Sequence, residues 1–223
     1  MEQDDEQRAL RPGRVTRLVQ QQKNPNRVSV FIEEAFAFGV HVDLVVAFGI
    51  QKGRTLSVDE QQRFVEADEV RTANTIALDY LSYRARTEHE VQQKLIRSGF
   101  DASIAERTVD RLRALDYLDD AAYARAYVEA RFRNRGYGPR RLRSDLLRRG
   151  VPARIIDAAL DAVVNPEDVL EAARLHAAKR WPRLATETDP NKRRKKLSEY
   201  LVRRGFSYDT VRRIVDEFEE DGV

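Results

Sequence analysis

Residues 142–163 read LRSDLLRRGVPARIIDAALDAV, and the chain carries this pattern twice more. The other copies are VQQKLIRSGFDASIAERTVDRL at 91–112 and LSEYLVRRGFSYDTVRRIVDEF at 197–218. They align without a gap. Gly99, Gly150 and Gly205 coincide, Leu95, Leu146 and Leu201 stand four residues earlier, and Phe100, Val151 and Phe206 follow directly. Val109, Leu160 and Val215 fall ten residues after the glycine, and Leu112, Val163 and Phe218 thirteen after it. Apolar residues eight, four and three before the glycine form one helical stripe. The glycine ends that helix, because a left-handed residue costs least without a Cβ. Asp101 and Ser207 then occupy the N-cap slot of the next helix, and Pro152 sits there in the middle copy.

A further helix precedes each pair. NTIALDYLSYRAR (74–86) ends before Thr87, whose capping-box partner is Glu90. DAAYARAYVEARFRNR (120–135) stops at Gly136, with Asp119-Asp120 as a helix-capping pair, and PEDVLEAARLHAAKRW (166–181) opens on proline. Each unit is therefore three helices, repeating about every fifty residues. The third unit has the longest internal connection, RLATETDP (183–190), and is expected to be the loosest.

The first third reads differently. VTRLVQQ (15–21), the turn signal Asn24-Pro25-Asn26 and RVSVFIE (27–33) predict a hairpin, and AFAFG (35–39) a third strand. HVDLVVAFG (41–49) predicts a short helix closed by Gly49, and Ser57 with Glu60 caps a second one. The expected fold is mainly α: an elongated array of three tandem three-helix repeats, preceded by a small β-hairpin/α module. Its expected divisions are a disordered tail (1–13), the module (14–72), and repeats at 73–116, 117–165 and 166–221.

The chain has 223 residues, 42% hydrophobic and 35% charged, and no cysteine, which excludes disulfides and thiolate metal sites. His41, His89 and His176 lack metal-ligand spacing, so no metal or cofactor is expected. MEQDDEQRAL is too acidic for a signal peptide, and the longest apolar run, Leu44 to Ile50, is too short to span a bilayer. A cytoplasmic monomer without membrane contact is expected.

Net charge is only +3, but it is unevenly placed. Residues 125–154 hold ten basic and two acidic residues, and 174–204 hold eleven and three. Such segments suit a polyanion or an acidic protein groove. The candidate contacts are Arg131, Arg133, Arg135, Arg140, Arg141, Arg143, Arg148 and Arg149, then Lys192, Arg193, Arg194, Lys195 and Lys196, with Arg203 and Arg204. Arg141, Arg148 and the lone acid Asp145 share one helical sector. A cationic run at a helix N-terminus opposes the helix dipole, a cost that an external anion beside 192–196 would relieve. Tyr123 and Tyr127 read as packing residues, Tyr137 sits in a turn, Trp181 is a local anchor, and His89 is expected to be exposed. Gly136-Tyr137-Gly138-Pro139 lacks the Lys-Ser/Thr and preceding strand of a phosphate loop.

LRSDLLRRGVPARIIDAAL has helix–Gly–helix character, which raises an autonomous DNA-binding module as the alternative. A recognition helix needs polar base-reading residues, whereas ARIIDAALDAVV (153–164) is mostly apolar after Arg154. No catalytic constellation appears.

The chain resembles the RecX family of recombinase regulators. The residues that carry the likeness are YLSYRARTEHEVQQKLIRSGF (80–100) and LDYLDDAAYARAYVEARFRNRGYGPRRLRSDLLRRGV (115–151). Leu118-Asp119-Asp120, Tyr123-Ala124, Arg131, Gly138, Leu142, Leu146 and Gly150-Val151 fit the family's middle repeat. The match covers roughly 74–219, and the module at 14–70 looks like the leader of some members. The resemblance implies a non-enzymatic protein with three tandem three-helix repeats. Such proteins bind RecA-type recombinase filaments on single-stranded DNA, lie along the filament groove and inhibit recombinase activity, and some contact DNA directly.

Overall fold

The computed structural model describes residues 10–184 and 186–220, of which the Glu220 side chain is left aside. Of the described residues 65% are helical, and three three-helix domains follow a small antiparallel strand module in the chain. It forms two compact units. The first takes the chain up to Tyr80 together with Leu95–Thr108, and the second Leu81–Lys94 with 109 onward.

In the first unit, β1 (Gly13–Gln21), β2 (Asn24–Ile32), β3 (Ala35–His41) and the short β4 (Thr55–Leu56) form one antiparallel sheet in the order β3-β2-β1-β4. Alternation decides its faces: Val15, Val28, Val30, Ile32, Phe38 and Val40 turn inward and are buried. They meet Ile50 and Phe64, the latter on α2 (Val58–Ser82), where Phe48 and Phe64 stack 4.6 Å apart. α1 (Val42–Ala47) follows β3, and Gly49 behind it is left-handed (φ 60°). Buried Asp68 fastens α2 to the sheet by accepting from Arg27 at 2.6 Å and from the His41 amide at 2.8 Å. The Ser57/Glu60 capping box forms as expected, with bonds of 3.2 and 2.9 Å.

Two readings of this region are corrected. The expected helices after Ser57 and over 74–86 are one 25-residue helix, α2, because no glycine or proline interrupts 58–82. Residues 10–13, read as the end of a disordered tail, are ordered: Leu10 packs on the sheet core, the Arg11 carbonyl accepts from Gln61 at 2.7 Å, and Gly13 begins β1. The remainder of that tail, 1–9, lies outside the described residues.

The repeats share one local design. α3 (Glu88–Arg97), α6 (Pro139–Leu147) and α9 (Pro190–Arg204) run into Gly99, Gly150 and Gly205, with φ of 94°, 78° and 95°. In each, the amide after the glycine returns to the leucine carbonyl five residues back: Phe100 to Leu95 at 3.3 Å, Val151 to Leu146 at 3.2 Å, Phe206 to Leu201 at 3.3 Å. This closure satisfies carbonyls that a helix end otherwise leaves bare. α4 (Ala102–Ala114), α7 (Ala153–Val163) and α10 (Tyr208–Glu220) follow.

Within the second unit, α5 (Asp120–Arg135), α6 and α7 enclose Ala124, Val128, Phe132, Leu142, Leu146, Val151, Ile156 and Ala159. α8 (Pro166–Arg180), α9 and α10 enclose Ala173, Ala177, Leu197, Leu201, Phe206, Val211, Ile214 and Val215. Each fully buried Leu, Ile or Phe contributes about 1.5–3 kcal/mol. Asp119 caps α5, accepting from Ala121 and Ala122, both at 2.8 Å. Asp120, paired with it in the sequence reading, instead accepts from the Glu88 amide at 3.0 Å.

A short 3-10 turn, Trp181–Leu184, buries Leu184 in the core, and Glu187 accepts from Lys196 at 2.6 Å. Trp181 packs edge-on against Phe218 at 5.7 Å.

Candidate partner-binding surface

The turn between α5 and α6 sets the geometry of the cationic surface. Gly136 ends α5 in the left-handed region, and Gly138 caps α6 at φ −68°. Gly138 lies on the backbone of the next repeat's helix stop. Its amide donates to the Arg204 carbonyl at 2.9 Å, and the Arg140 amide to the Gly205 carbonyl at 3.0 Å. A Cβ on Gly138 would lie 2.6 Å from the Phe206 nitrogen, and one on Gly205 would lie 2.5 Å from the Arg141 nitrogen. The joint is made once more, one repeat earlier: Thr87 Oγ1 donates to the Arg149 carbonyl at 2.6 Å, and a Cβ on Gly150 would lie 2.7 Å from His89 Cδ2. Thr87 and Gly138 occupy the same slot of the repeat, as do Arg149 and Arg204.

His176 on α8 seals the second joint. Its Nε2 lies 3.0 Å from the Gly136 carbonyl and 3.2 Å from that of Arg135, so this nitrogen must carry the proton. Nδ1 is left to accept from the Tyr200 hydroxyl at 3.4 Å. Burial, and then the Arg204 charge, hold the imidazole below the ordinary histidine pKa.

Guanidiniums converge on this joint. The Arg135 guanidinium beside the Tyr137 hydroxyl, with the Arg141 and Arg204 charges, draws the phenol below the usual tyrosine pKa. Arg141 lies over the Tyr137 ring at 3.8 Å, Arg140 over Tyr208 at 5.0 Å, and Arg204 over Tyr200 at 5.3 Å. The aromatic faces position these cations without neutralising them.

The candidate cations divide into two sets. One is taken up by internal acids: Arg133 by Glu129 (2.9 Å), Arg143 by Asp157, Arg148 by Asp145, Lys192 by Asp189 (3.8 Å), Lys196 by Glu187 (2.6 Å) and Arg203 by Glu199 (4.0 Å). Arg194 holds both Asp216 (2.6 Å) and Glu219 (2.5 Å). Arg141 belongs partly here, 3.9 Å from Asp145. The other set has no acid partner among the described residues: Arg131, Arg135, Arg140, Arg149, Arg193, Lys195 and Arg204. Arg131 and Arg149 lie over Tyr127 at 5.5 and 4.7 Å, and Arg193 over Trp181 at 5.4 Å. Asp189, Glu187, Asp216 and Glu219 thus hold three of the five cations of 192–196 and leave Arg193 and Lys195 without an acid among the described residues.

Asp145, the lone acid of its sector, is a buried hub that binds Arg148 and accepts from Tyr127 at 3.2 Å. Other participants were not singled out in the sequence. Tyr200, Tyr208 and His176 come from the third repeat, and only the fold brings them to the turn of the second. Arg125 and Arg154 are exposed without an acid partner among the described residues; opposition to the buried stripe was the signal available for them. α7 packs Ile156 and Ala159 inward and presents alanines, Asp157 and Asp161, which is not the face of a base-reading helix. Among the described residues no helix is long and apolar enough to cross a membrane, and no His/Asp/Glu group is placed to hold a metal ion.

Comparison with known proteins agrees with this architecture. Residues 13–57 match the regulatory protein RecX N-terminal domain, 73–112 the RecX first three-helix domain, 119–160 the second and 166–215 the third. The chain is 32% identical over 205 residues to the regulatory protein RecX of Clostridium acetobutylicum, covering 91% of this chain and 95% of that one. It is 32% identical over 203 residues to that of Bacillus licheniformis, covering 91% and 76%. A crystal structure of regulatory protein RecX superposes with a TM-score of 0.72 at 28% identity, covering 91% of this chain and 98% of that one. RecX from Lactobacillus salivarius gives 0.62 at 28% identity, covering 69% and 98%. With its three helical domains and N-terminal module each matched in order, the chain belongs to the RecX family of regulatory proteins.

Proposed function

We propose that this protein binds a RecA-type recombinase filament on single-stranded DNA and restrains its activity in homologous recombination and DNA repair. It acts as a cytoplasmic, non-enzymatic monomer. The observation that carries this reading is the acid-free guanidinium cluster at the joint of repeats two and three, Arg135, Arg140 and Arg204 around Tyr137 and Tyr208. Internally neutralised arginines have little charge left for a partner; these three retain theirs. Repeats at 73–116, 117–165 and 166–221 would lie in the filament groove, where the cluster meets phosphodiester or acidic side chains. Occupying the groove blocks the second DNA strand or loosens subunit contacts.

The test is the DNA-dependent ATP hydrolysis of a bacterial recombinase. Wild-type protein suppresses it. Charge reversal at Arg135, Arg140 and Arg204 weakens suppression at least ten-fold, on the order of 1.4 kcal/mol, while reversal of Arg143 and Arg194 matters less. Equal effects of the two variants, with helix content unchanged, refute the assignment. Tight sequence-specific binding of naked duplex would instead support an autonomous DNA-binding module.

A further inference from the structure

The outer face of the N-terminal sheet carries a feature that a hairpin built only to cover a core does not need. Val28, Val30 and Ile32 of β2 point inward, so Ser29 and Phe31 point outward. Arg17 of β1 and Phe36 of β3 are the direct neighbours of Phe31. The result is a row across three strands. The Arg17 guanidinium lies over the Phe31 ring at 4.1 Å, and Phe36 meets Phe31 edge-on at 5.9 Å. Phe36 is 42% exposed, and Val19 in the next row 40%. That next row is Val19, Ser29 and Gly39, over which Gln21 Nε2 donates to Ser29 Oγ at 3.2 Å.

Both ladders are irregular at this row. One register shift falls between Val15 and Arg17, the other between Val30 and Phe31. Bulges of this kind re-aim side chains and recur beside binding sites. A cross-strand aromatic pair alone would stabilise the sheet without two of them.

Charge is polarised in the same sense. Residues 13–56 hold six basic and three acidic residues, whereas α2 holds two and six. Arg27 and Arg54 are bound by Asp68 and Glu60 of α2. Arg17, Lys23 and Lys52 have no acid partner among the described residues. An exposed ring beside an unpaired guanidinium on a sheet face suits a stacked base and its phosphate.

We propose that this face is a stacking platform for single-stranded nucleic acid, with Phe31, Phe36 and Arg17 as its contact row. The platform stands apart from the recombinase reading, because naked oligonucleotide is its ligand. The probe is a fluorescent oligothymidylate of about a dozen nucleotides, compared with an abasic strand of the same length. Full-length wild-type protein should prefer the strand with bases. Phe36→Ala and Arg17→Gln should each cut that preference by on the order of ten-fold and leave abasic binding nearly unchanged, with an unaltered circular-dichroism spectrum. Photocrosslinking of 5-iodouracil strands should label the β1–β3 peptides. A wild type without base preference, variants that keep it, or crosslinks confined to α5–α10 would each overturn the proposal. So would a loss seen only on recombinase-coated strands, which would make this face a protein-docking surface.

Discussion

Glycine substitutions separate the two reasons this chain has for glycine. Gly99 is left-handed at φ 94°, and a Cβ there meets nothing within 4 Å. Gly138 is the reverse case. Its φ of −68° suits any residue, but a Cβ would press on the Gly205 backbone and lie 2.6 Å from the Phe206 nitrogen. Gly205 has both constraints. Gly99→Ala should cost about 1–2 kcal/mol, the price of a left-handed L-residue. Gly138→Ala must part the joint. It forfeits two backbone hydrogen bonds at about 1 kcal/mol each, with at least ~1 kcal/mol of overpacking, or about 3 kcal/mol together. At about 2–4 °C per kcal/mol for a chain of this size, Gly138→Ala should lower Tm by about 6–12 °C. Gly205→Ala should cost more than either single change. The double variant Gly138→Ala/Gly205→Ala should cost less than the sum, because a joint already parted by one methyl has room for the second. Amide hydrogen exchange supplies the local readout: the Gly138 and Arg140 amides should lose protection in Gly138→Ala and Gly205→Ala and keep it in Gly99→Ala. Were the joint absent, Gly138→Ala would stabilise by about 0.4–1 kcal/mol through the unfolded chain. A raised Tm with both amides still protected refutes the reasoning.

Further predictions rest on single contacts. His176 has a folded pKa below its unfolded value of about 6.5, so the unfolded chain binds the proton first as pH falls. The stability linked to this group is full above pH ~6.5 and is lost as pH falls through the folded value. His176→Gln should flatten the pH dependence of Tm below neutrality. Asp120 is raised by burial, so the folded state binds its proton first and stability from this group falls as pH rises above its unfolded value. Asp120→Asn should therefore gain in Tm relative to wild type at pH 7, with the gain vanishing in acid. Asp145→Ala strips partners from Tyr127, Arg148 and Arg141 and should cost about 1–3 kcal/mol by urea denaturation. Removing Arg140 or Arg204 should reduce the salt dependence of binding to a polyanion by about one counterion each, whereas removing Arg143 should change it little, because Asp157 already holds that charge.

Much of the helical array was legible because its determinants are short-range. The leucine stripe, the left-handed glycine and the Thr87–Glu90 and Ser57–Glu60 capping boxes all act within one or two turns. The fusion of 58–82 into α2 was missed because the capping box at Thr87 implied a separate helix before it, while nothing between Ser57 and Ser82 breaks a helix. The ordering of Leu10 and Arg11 was missed because it depends on Gln61 and the sheet core, far along the chain.

The candidate surface was legible only as composition. Counting arginines located the basic segments and could not tell spent charge from open charge. That division depends on acids distant in sequence, such as Asp216 and Glu219 beside Arg194 and Asp157 beside Arg143. Where each repeat's helices stop is written locally, since a left-handed residue is a property of its own backbone. That Gly150 and Gly205 also seat the preceding repeat, and that Arg135, Arg140 and Arg204 meet at one joint, comes from packing, which joins residues the chain alone does not bring near.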